Sequence, residues 1–425
     1  MKLQSRRKIA HGRCVEPAET IARLDALIRP QHDYWLHEES VAEHLHWTAM
    51  FIDGLEFRAM GKGTELAWST AGALAEGAEF LTARATGELP GYVGAREAEV
   101  SNALPLASLV DHVATVTPPV LERIRGLDEA FHWVDGWSLV RERTIKVPLE
   151  YVRLISGPSG KATGNNLEEA VVHATLEIFE RRAHITVLRN RLVIPTIDPA
   201  TVTHPVIRAQ MAFLRERGIE IILKDLSFGG VLPCVGAWLI DHQIPEDYQF
   251  RHFFKVGAAF DREEALLRTF TEYTQGRRQH EFIDPEADGS AREVQLAKLL
   301  DHDFRRLRTQ LDDCDNFMSS FMFGFVPYRD AGFLREGEIV AFQKGQQYRD
   351  CLQDIAHARE ICKALGKDYV VVDLTDPAIG FPVAQVVIPG YSDVLPYHPA
   401  ESHALFRPWT RTEVLKSYAA GPQSA

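Results

Sequence analysis

The chain has 425 residues, 45% hydrophobic and 25% charged, which places it among soluble globular proteins with enough apolar material for a sizeable core. A net charge of −12 disfavours non-specific contact with nucleic acid or an anionic membrane. Five scattered cysteines without a C-x-x-C pair argue against a zinc ribbon and a disulfide framework, and no apolar run is long enough to predict a membrane span. The basic start "MKLQSRRKIAHGRC" is not followed by an apolar stretch, so no signal peptide is expected and the cytoplasm is the expected location.

In chain order, "PAETIARLDALIRP" (17–30) reads as an amphipathic helix closed by Pro30. Residues 46–63 read as strands and a turn, 65–84 as a helix rich in alanine and glycine, and "VPLEYVRLI" (147–155) as strand-like. The loop "SGPSGKATGNN" then leads into a long helix that opens near Leu167. "HPVIRAQMAFLRERG" predicts a helix ended by Gly218, followed by the strand "IEIILKDLS". Residues 261–279 predict another helix, with Asp261 and Glu264 spaced as in a capping box. Residues 284–345 are more polar and irregular, as in an insertion or lid. A helix ending at Gly366 and the strands "KDYVVVDLT" and "PVAQVVIPG" follow, and the tail from Tyr391 is Pro-rich. Helices and strands alternate too unevenly for a regular doubly wound sheet, so the fold class is α/β or α+β with large mixed sheets.

Three of these helices carry paired acids. At about 100° per residue, Leu167, Ala170, Val171, Ala174 and Ile178 share one stripe, and Val172, Leu176 and Phe179 form a second apolar region. Glu169, His173, Glu177 and Glu180 fall in the arc between them. Acids wedged between apolar surfaces are costly unless a cation or proton compensates them. Pairing with Arg181 and Arg182 is the plain structural alternative, and a hydrogen-bonded core histidine is the plain one for His173. In the helix over 65–84, Glu76 and Glu79 point away from the stripe Ala67, Ala71, Leu74, Ala78 and Leu81, beside the small residues Ser69 and Gly72. A solvated back face is the alternative there. The helix from 261 offers Arg268, Glu272, Gln275 and Arg277, where an Arg268–Glu272 surface pair is the alternative.

Oxygen ligands without histidine or cysteine partners suit Mg2+, which commonly arrives with a nucleotide polyphosphate. The chain contains no Walker A motif and no G-x-G-x-x-G after a strand, so an ATP site here would be a non-P-loop site between helices.

These motifs resemble the YcaO family. "GNNLEEA" (164–170) followed by "LEIFER" (176–181) is similar to the family's hallmark helix, "GKG" with "GALAEGAEF" to its earlier acidic helix, "EYTQGR" (272–277) to its E-x-x-Q-x-R segment, and "VVVDLTDPAIGFPVAQVVIPG" to its late strands. The resemblance runs in order over about residues 60–390. It implies a lead-in segment over 1–59, a catalytic domain over 60–395 with 284–345 as its insertion, and a tail over 396–425. The activity it implies is ATP- and Mg2+-dependent activation of a peptide backbone amide. The amide oxygen takes the γ-phosphoryl group and leaves as phosphate, giving an azoline or, with a sulfide donor, a thioamide.

By the same resemblance Glu76, Glu79, Glu177, Glu180 and Glu272 would bind Mg2+, with Gln275 beside them. Asn165 and Glu169 would hold the nucleotide's base and sugar side or a further metal. Arg181, Arg277 and Lys62 would meet phosphates, with Arg277 and Gln275 as the catalytic pair. Gly72, Phe80 and Ala162 depart from the family pattern, as does a C-terminus without a P-x-P-x-P ending. The expected partners are a peptide or protein substrate, a separate protein that presents the peptide or delivers sulfur, and a second copy in a homodimer, with no nucleic acid and no membrane. An accessory or scaffold protein serving another modifying enzyme, such as a methylthiolation system, is the competing reading.

Overall fold

The computed structural model describes residues 1–55, 58–82, 89–109, 130–156, 159–244, 251–275 and 332–392, with a few isolated positions between 282 and 294. Residues 1–16 form a strap that runs over the surface and is tied to residues 349–351 by backbone hydrogen bonds. Helix α1 (Pro17–Ile28) starts on a proline, whose missing N–H costs nothing at that position, and buries Leu24 and Ile28. Strands β1 (Tyr34–Ala42), β2 (Leu45–Ile52) and β3 (Arg58–Gly63) form an antiparallel three-stranded sheet, and α2 (Leu66–Thr82) packs on it. The approach is close because Gly61 has no side chain: a Cβ there would lie 1.8 Å from the Ser69 carbonyl oxygen. This contact fixes β3 against the face of α2 that carries Gly72.

The second sheet collects β4 (Val93–Arg96), β5 (Ala130–Ser138), β6 (Arg143–Pro148) and β7 (Lys161–Thr163) with the late strands β13 (Val370–Asp373) and β14 (Val383–Val387). Its order is β4-β5-β13-β14-β7, with β6 paired to β5. Helix α3 (Leu149–Ser156) follows β6 directly. The expected strand over 147–155 is therefore a strand end and then a helix. Leu149, Val152 and Ile155 are buried at three-residue spacing, and this packing overrides the strand preference of Tyr151 and Val152. Lys161–Thr163, expected as loop, pairs with β14.

Helix α4 (Leu167–Asn190) is capped by Asn166, whose side chain accepts the Glu169 N–H at 2.9 Å. It lies between β7 and β14 on one side and the third sheet on the other. That sheet runs β11-β10-β9-β8-β12, with β8 (Thr196–Ile197), β9 (Ile219–Asp225), β10 (Cys234–Asp241), β11 (His252–Ala258) and β12 (Ile339–Val340). Helices α5 (Pro205–Glu216), α6 (Arg262–Thr274) and α7 (Cys351–Ala364) cover it and α4. All eight residues of β10 are buried, as befits a strand covered on both faces. The mixed α/β class with several sheets agrees with the sequence reading. Strand pairing is antiparallel in all the named pairs but β8–β12.

The cap of α6 differs in detail: Asp261 accepts from the Glu263 N–H at 3.0 Å, while Glu264 turns to Arg268 instead of closing a capping box. Of the polar stretch 284–345, residues 332–345 supply a 3-10 turn and β12, and most of the remainder, like the tail 396–425, lies outside the described residues. Ile178 and Phe179 are fully buried, worth about 1.5–3 kcal/mol each, and this pins the rotation of α4 and so the direction of its remaining open stripe.

Candidate active site

Between Ala170 and Arg181 on α4, His173, Glu177, Glu180 and Arg181 alone escape full burial. Between Arg262 and Thr274 on α6, the same is true of Glu264, Arg268 and Glu272. Spacings of three and four residues make each set one stripe of a helix. The α2 stripe of Trp68, Gly72, Ala75, Glu76 and Glu79 faces the same space. The three stripes, with Gly61–Gly63 of β3 and Lys161–Thr163 of β7, enclose a cavity of about 530 Å3. Among the described residues six glutamates and five lysine or arginine side chains line it, a near balance of charge.

Four of these acids have a neighbour within reach: Glu76, Glu79, Glu177 and Glu272. Glu76 accepts the Met60 N–H at 3.0 Å, and Gln275 donates to the Met60 carbonyl at 2.9 Å. Glu79 lies 3.5 Å from Lys161, and Glu272 contacts Lys62, with Lys255 4.0 Å away. Glu177 accepts the Gly160 N–H at 3.0 Å and lies 3.6 Å from Arg181. This compensation is incomplete. Burial pushes Glu79 up to about 8, opposed by Lys161 and reinforced by Glu177 and Glu76. Burial also raises Glu76 and Glu177, the latter with help from Glu180 and against Arg181. On the cationic side, burial pulls Lys62 down to about 8 and Lys255 to about 7.

Among the described residues no three histidine, cysteine or acidic side chains are already drawn together as a metal cage. The donor set nevertheless fits Mg2+ carried by a polyphosphate. It is all oxygen, it is under-compensated, and the lysines and arginines that now hold the acids can turn to phosphate oxygens when a cation takes their place.

Of the residues expected from sequence, Lys62, Glu76, Glu79, Glu177, Glu180, Arg181, Glu272 and Gln275 line this one cavity. Arg277 lies outside the described residues. Asn165 and Glu169 line a small adjoining pocket that shares Arg13, Trp68, Gly72, Ala75 and Thr163 with the cavity. The Glu169 side chain is fully buried. Its oxygens accept from Arg13 (3.3 Å), the Cys14 N–H (2.9 Å) and Asn165 (3.3 Å), which ties the N-terminal strap to Asn165 through this carboxylate. Ser69, expected beside the acids, turns to the sheet and bonds Thr48, and Arg268 pairs with Glu264, not Glu272.

Sequence reasoning missed His11, Arg13, Lys161 and Glu264. Glu264 was readable as one more turn of the Arg268–Glu272 stripe. Lys161 needed the strand pairing, and nothing near His11 and Arg13 in the sequence points to the helices α2, α4 and α6 that they meet.

Several comparisons agree with this architecture. A heterocyclase solved in complex with substrate and cofactor superposes with a TM-score of 0.68 at 19% identity, covering 92% of this chain and 54% of that one. The structure of YcaO from Methanopyrus kandleri bound with AMPPCP and Mg2+ gives a TM-score of 0.60 at 17% identity, covering 92% of this chain and 96% of that one. At these identities the likeness speaks to fold. In sequence, the ribosomal protein S12 methylthiotransferase accessory factor YcaO of Escherichia coli is 30% identical over 137 residues, which is 32% of this chain and 22% of that protein. The profile of the YcaO cyclodehydratases, a family described as ATP- and Mg2+-binding, matches residues 60–392, and the chain belongs to that family.

Proposed function

We propose that this chain is an ATP- and Mg2+-dependent enzyme that activates a backbone amide of a peptide by O-phosphorylation, leading to an azoline or a thioamide. The observation that carries the reading is the convergence of three acidic stripes, from α2, α4 and α6, on one cavity in a chain of this family. When bound, ATP supplies the phosphoryl group that makes the amide oxygen a leaving group, and Mg2+ offsets the phosphate charge.

The chain's own residues would do the rest. Glu76, Glu79, Glu177, Glu180 and Glu272 would hold Mg2+ from three rigid helices, so little reorganisation is needed at the moment of reaction. Lys62 and Arg181 lie among these acids and would meet phosphate oxygens, joined by Arg277. Gln275, fixed to Met60 of β3, would orient the reacting groups at the end of α6. Asn165, held from below by Glu169 and by Thr20 at 3.1 Å, would take the sugar or base side. The peptide, its presenting or sulfur-delivering partner, a homodimer and a cytoplasmic location belong to the same proposal. No helix among the described residues is long and apolar enough to cross a membrane.

The E. coli relative, an accessory factor of a methylthiotransferase, favours a second reading, in which the chain binds nucleotide but serves another modifying enzyme. Co-expression with a candidate peptide and mass spectrometry separates the readings. Loss of the mass of one water marks azoline formation, and exchange of oxygen for sulfur marks a thioamide. ATP hydrolysis without any change in peptide mass would favour the accessory role.

A further inference from the structure

Two thiols meet across most of the length of the chain. Cys14, near the end of the N-terminal strap, and Cys351, the first residue of α7, are 337 residues apart in sequence, and their Sγ atoms lie 3.5 Å apart. Cys351 is fully buried and Cys14 half-buried. One buried cysteine would be ordinary core filling. Here the fold brings two together and holds both.

The backbone does the holding. Arg7 pairs with Asp350 as in an antiparallel ladder. Lys8 N–H donates to the Arg349 carbonyl and Cys351 N–H to the Arg6 carbonyl, both at 2.9 Å. Cys351 opens a helix, where its N–H has no acceptor within the helix, and the strap supplies one. Lys8 reaches Asp354 at 2.8 Å in the first turn of α7. The strap then turns back through a hairpin, with Ile9 N–H on the Arg13 carbonyl (2.8 Å) and Arg13 N–H on the Ala10 carbonyl (2.7 Å). Cys14 follows, and its N–H donates to Glu169 of α4 at 2.9 Å. Its sulfur is thereby set against the start of α7. A disulfide needs the sulfur atoms at about 2 Å, so little more than a side-chain rotation separates this pair from bonding. Cys14 is open enough for a small oxidant to reach. The hydrogen bond from Cys351 favours its thiolate, against burial and the Glu169 carboxylate.

We propose that Cys14 and Cys351 are a redox modification site, where a reversible disulfide fastens the strap to α7. The oxidant is a low-molecular-weight disulfide. The Cys14 thiolate attacks one of its sulfur atoms, forms a mixed disulfide and expels one thiolate. Cys351 then gives its proton to solvent, attacks the Cys14 sulfur and expels the second thiolate. Two protein thiols are oxidised, and one external disulfide is reduced to two thiols. In a reducing compartment such a bond is transient and redox-sensing. The hairpin carries His11 and Arg13 to the cavity wall, so the bond holds that wall in place. The latch involves only the strap, α4 and α7, and stands whatever the cavity binds.

The test treats the full-length protein with oxidised glutathione, alkylates the remaining thiols and maps the peptides by mass spectrometry without reduction. The expected product is an intramolecular Cys14–Cys351 linkage, with loss of two hydrogens, that dithiothreitol reverses. Trypsin cleavage after Lys8 and Arg13 should slow at least about tenfold in the oxidised protein, because the cross-link removes most of the open states that the protease captures. Cys14→Ser, at a half-buried position, should lose both effects. A glutathione adduct on Cys14 without the linkage overturns the proposal, as do two alkylated thiols after oxidation or a linkage through any other cysteine. Unchanged trypsin cleavage in the linked protein overturns the latch, as does oxidant-dependent protection that persists in Cys14→Ser. If melting curves show that Cys14→Ser does not fold, the wild-type peptide map and cleavage rates decide without it.

Discussion

Helix α4 carries two pairs of acids with opposite fates. Glu168 and Glu169, in its first turn, are 3% and 0% exposed. Glu168 accepts from the Gln4 N–H and Arg6, and Glu169 from Arg13, the Cys14 N–H and Asn165. The positive end of the helix dipole favours both. Two turns on, Glu177 and Glu180 open to the cavity, where burial disfavours the Glu177 charge against the opposing Arg181, Gly160 N–H and Lys62. The sequence around the two pairs is equally apolar. What separates the closed pair from the open one is the census of partners that tertiary structure brings.

The comparison predicts its largest effect at the open end. Glu177→Gln and Glu180→Gln should each lower ATP turnover at least about a hundredfold, since a neutral amide replaces a charge that a metal would take up. The melting temperature should stay level or rise, because the buried repulsion is relieved. Wild-type turnover in either variant would remove that residue from the metal set.

At the closed end the same exchange should show the reverse pattern. Glu169→Gln leaves Arg13 without its carboxylate. Losing one partner of a fully buried pair costs about 3–5 kcal/mol. Arg13 keeps 30% of its side chain exposed, so a loss of roughly 2–3 kcal/mol and a drop of several degrees in melting temperature are expected. Thermal or urea unfolding measures it, and an unchanged midpoint would mean that Glu169 does not need its ion pair.

These pairs also show what was legible in the sequence. The helical periods of 167–183 and 261–275 placed Glu177, Glu180 and Glu272 on usable arcs, and the family resemblance joined them to Glu76 and Glu79 on a third helix. The mixed α/β class followed from uneven alternation of strands and helices. The tertiary partners of Glu169 were not legible, because Arg13 and Cys14 lie 156 and 155 residues away and no local pattern reports such contacts. Residues 147–155 were misread for a related reason: strand-prone side chains became a helix because Leu149, Val152 and Ile155 had a core to fill. Local propensity fixes an element only when the tertiary surroundings leave it a choice.

The smallest predicted effect lies where the strap meets α7. Asp354 is 2% exposed and 2.8 Å from Lys8. Burial raises its carboxyl to about 6 from an ordinary 3.8, with Lys8 opposing. A carboxyl raised by folding stabilises the native state below its unfolded value, and that contribution is lost as pH rises through about 6. Asp354→Asn keeps a neutral side chain at every pH. The melting temperature of the wild type relative to this variant should therefore fall by a few degrees between about pH 5 and about pH 8. A difference that instead grows with pH would mean that the Lys8 pair outweighs desolvation. The docked end of the strap would then be as fully compensated as Glu168 and Glu169, and the contrast between closed and open acids would extend to α7.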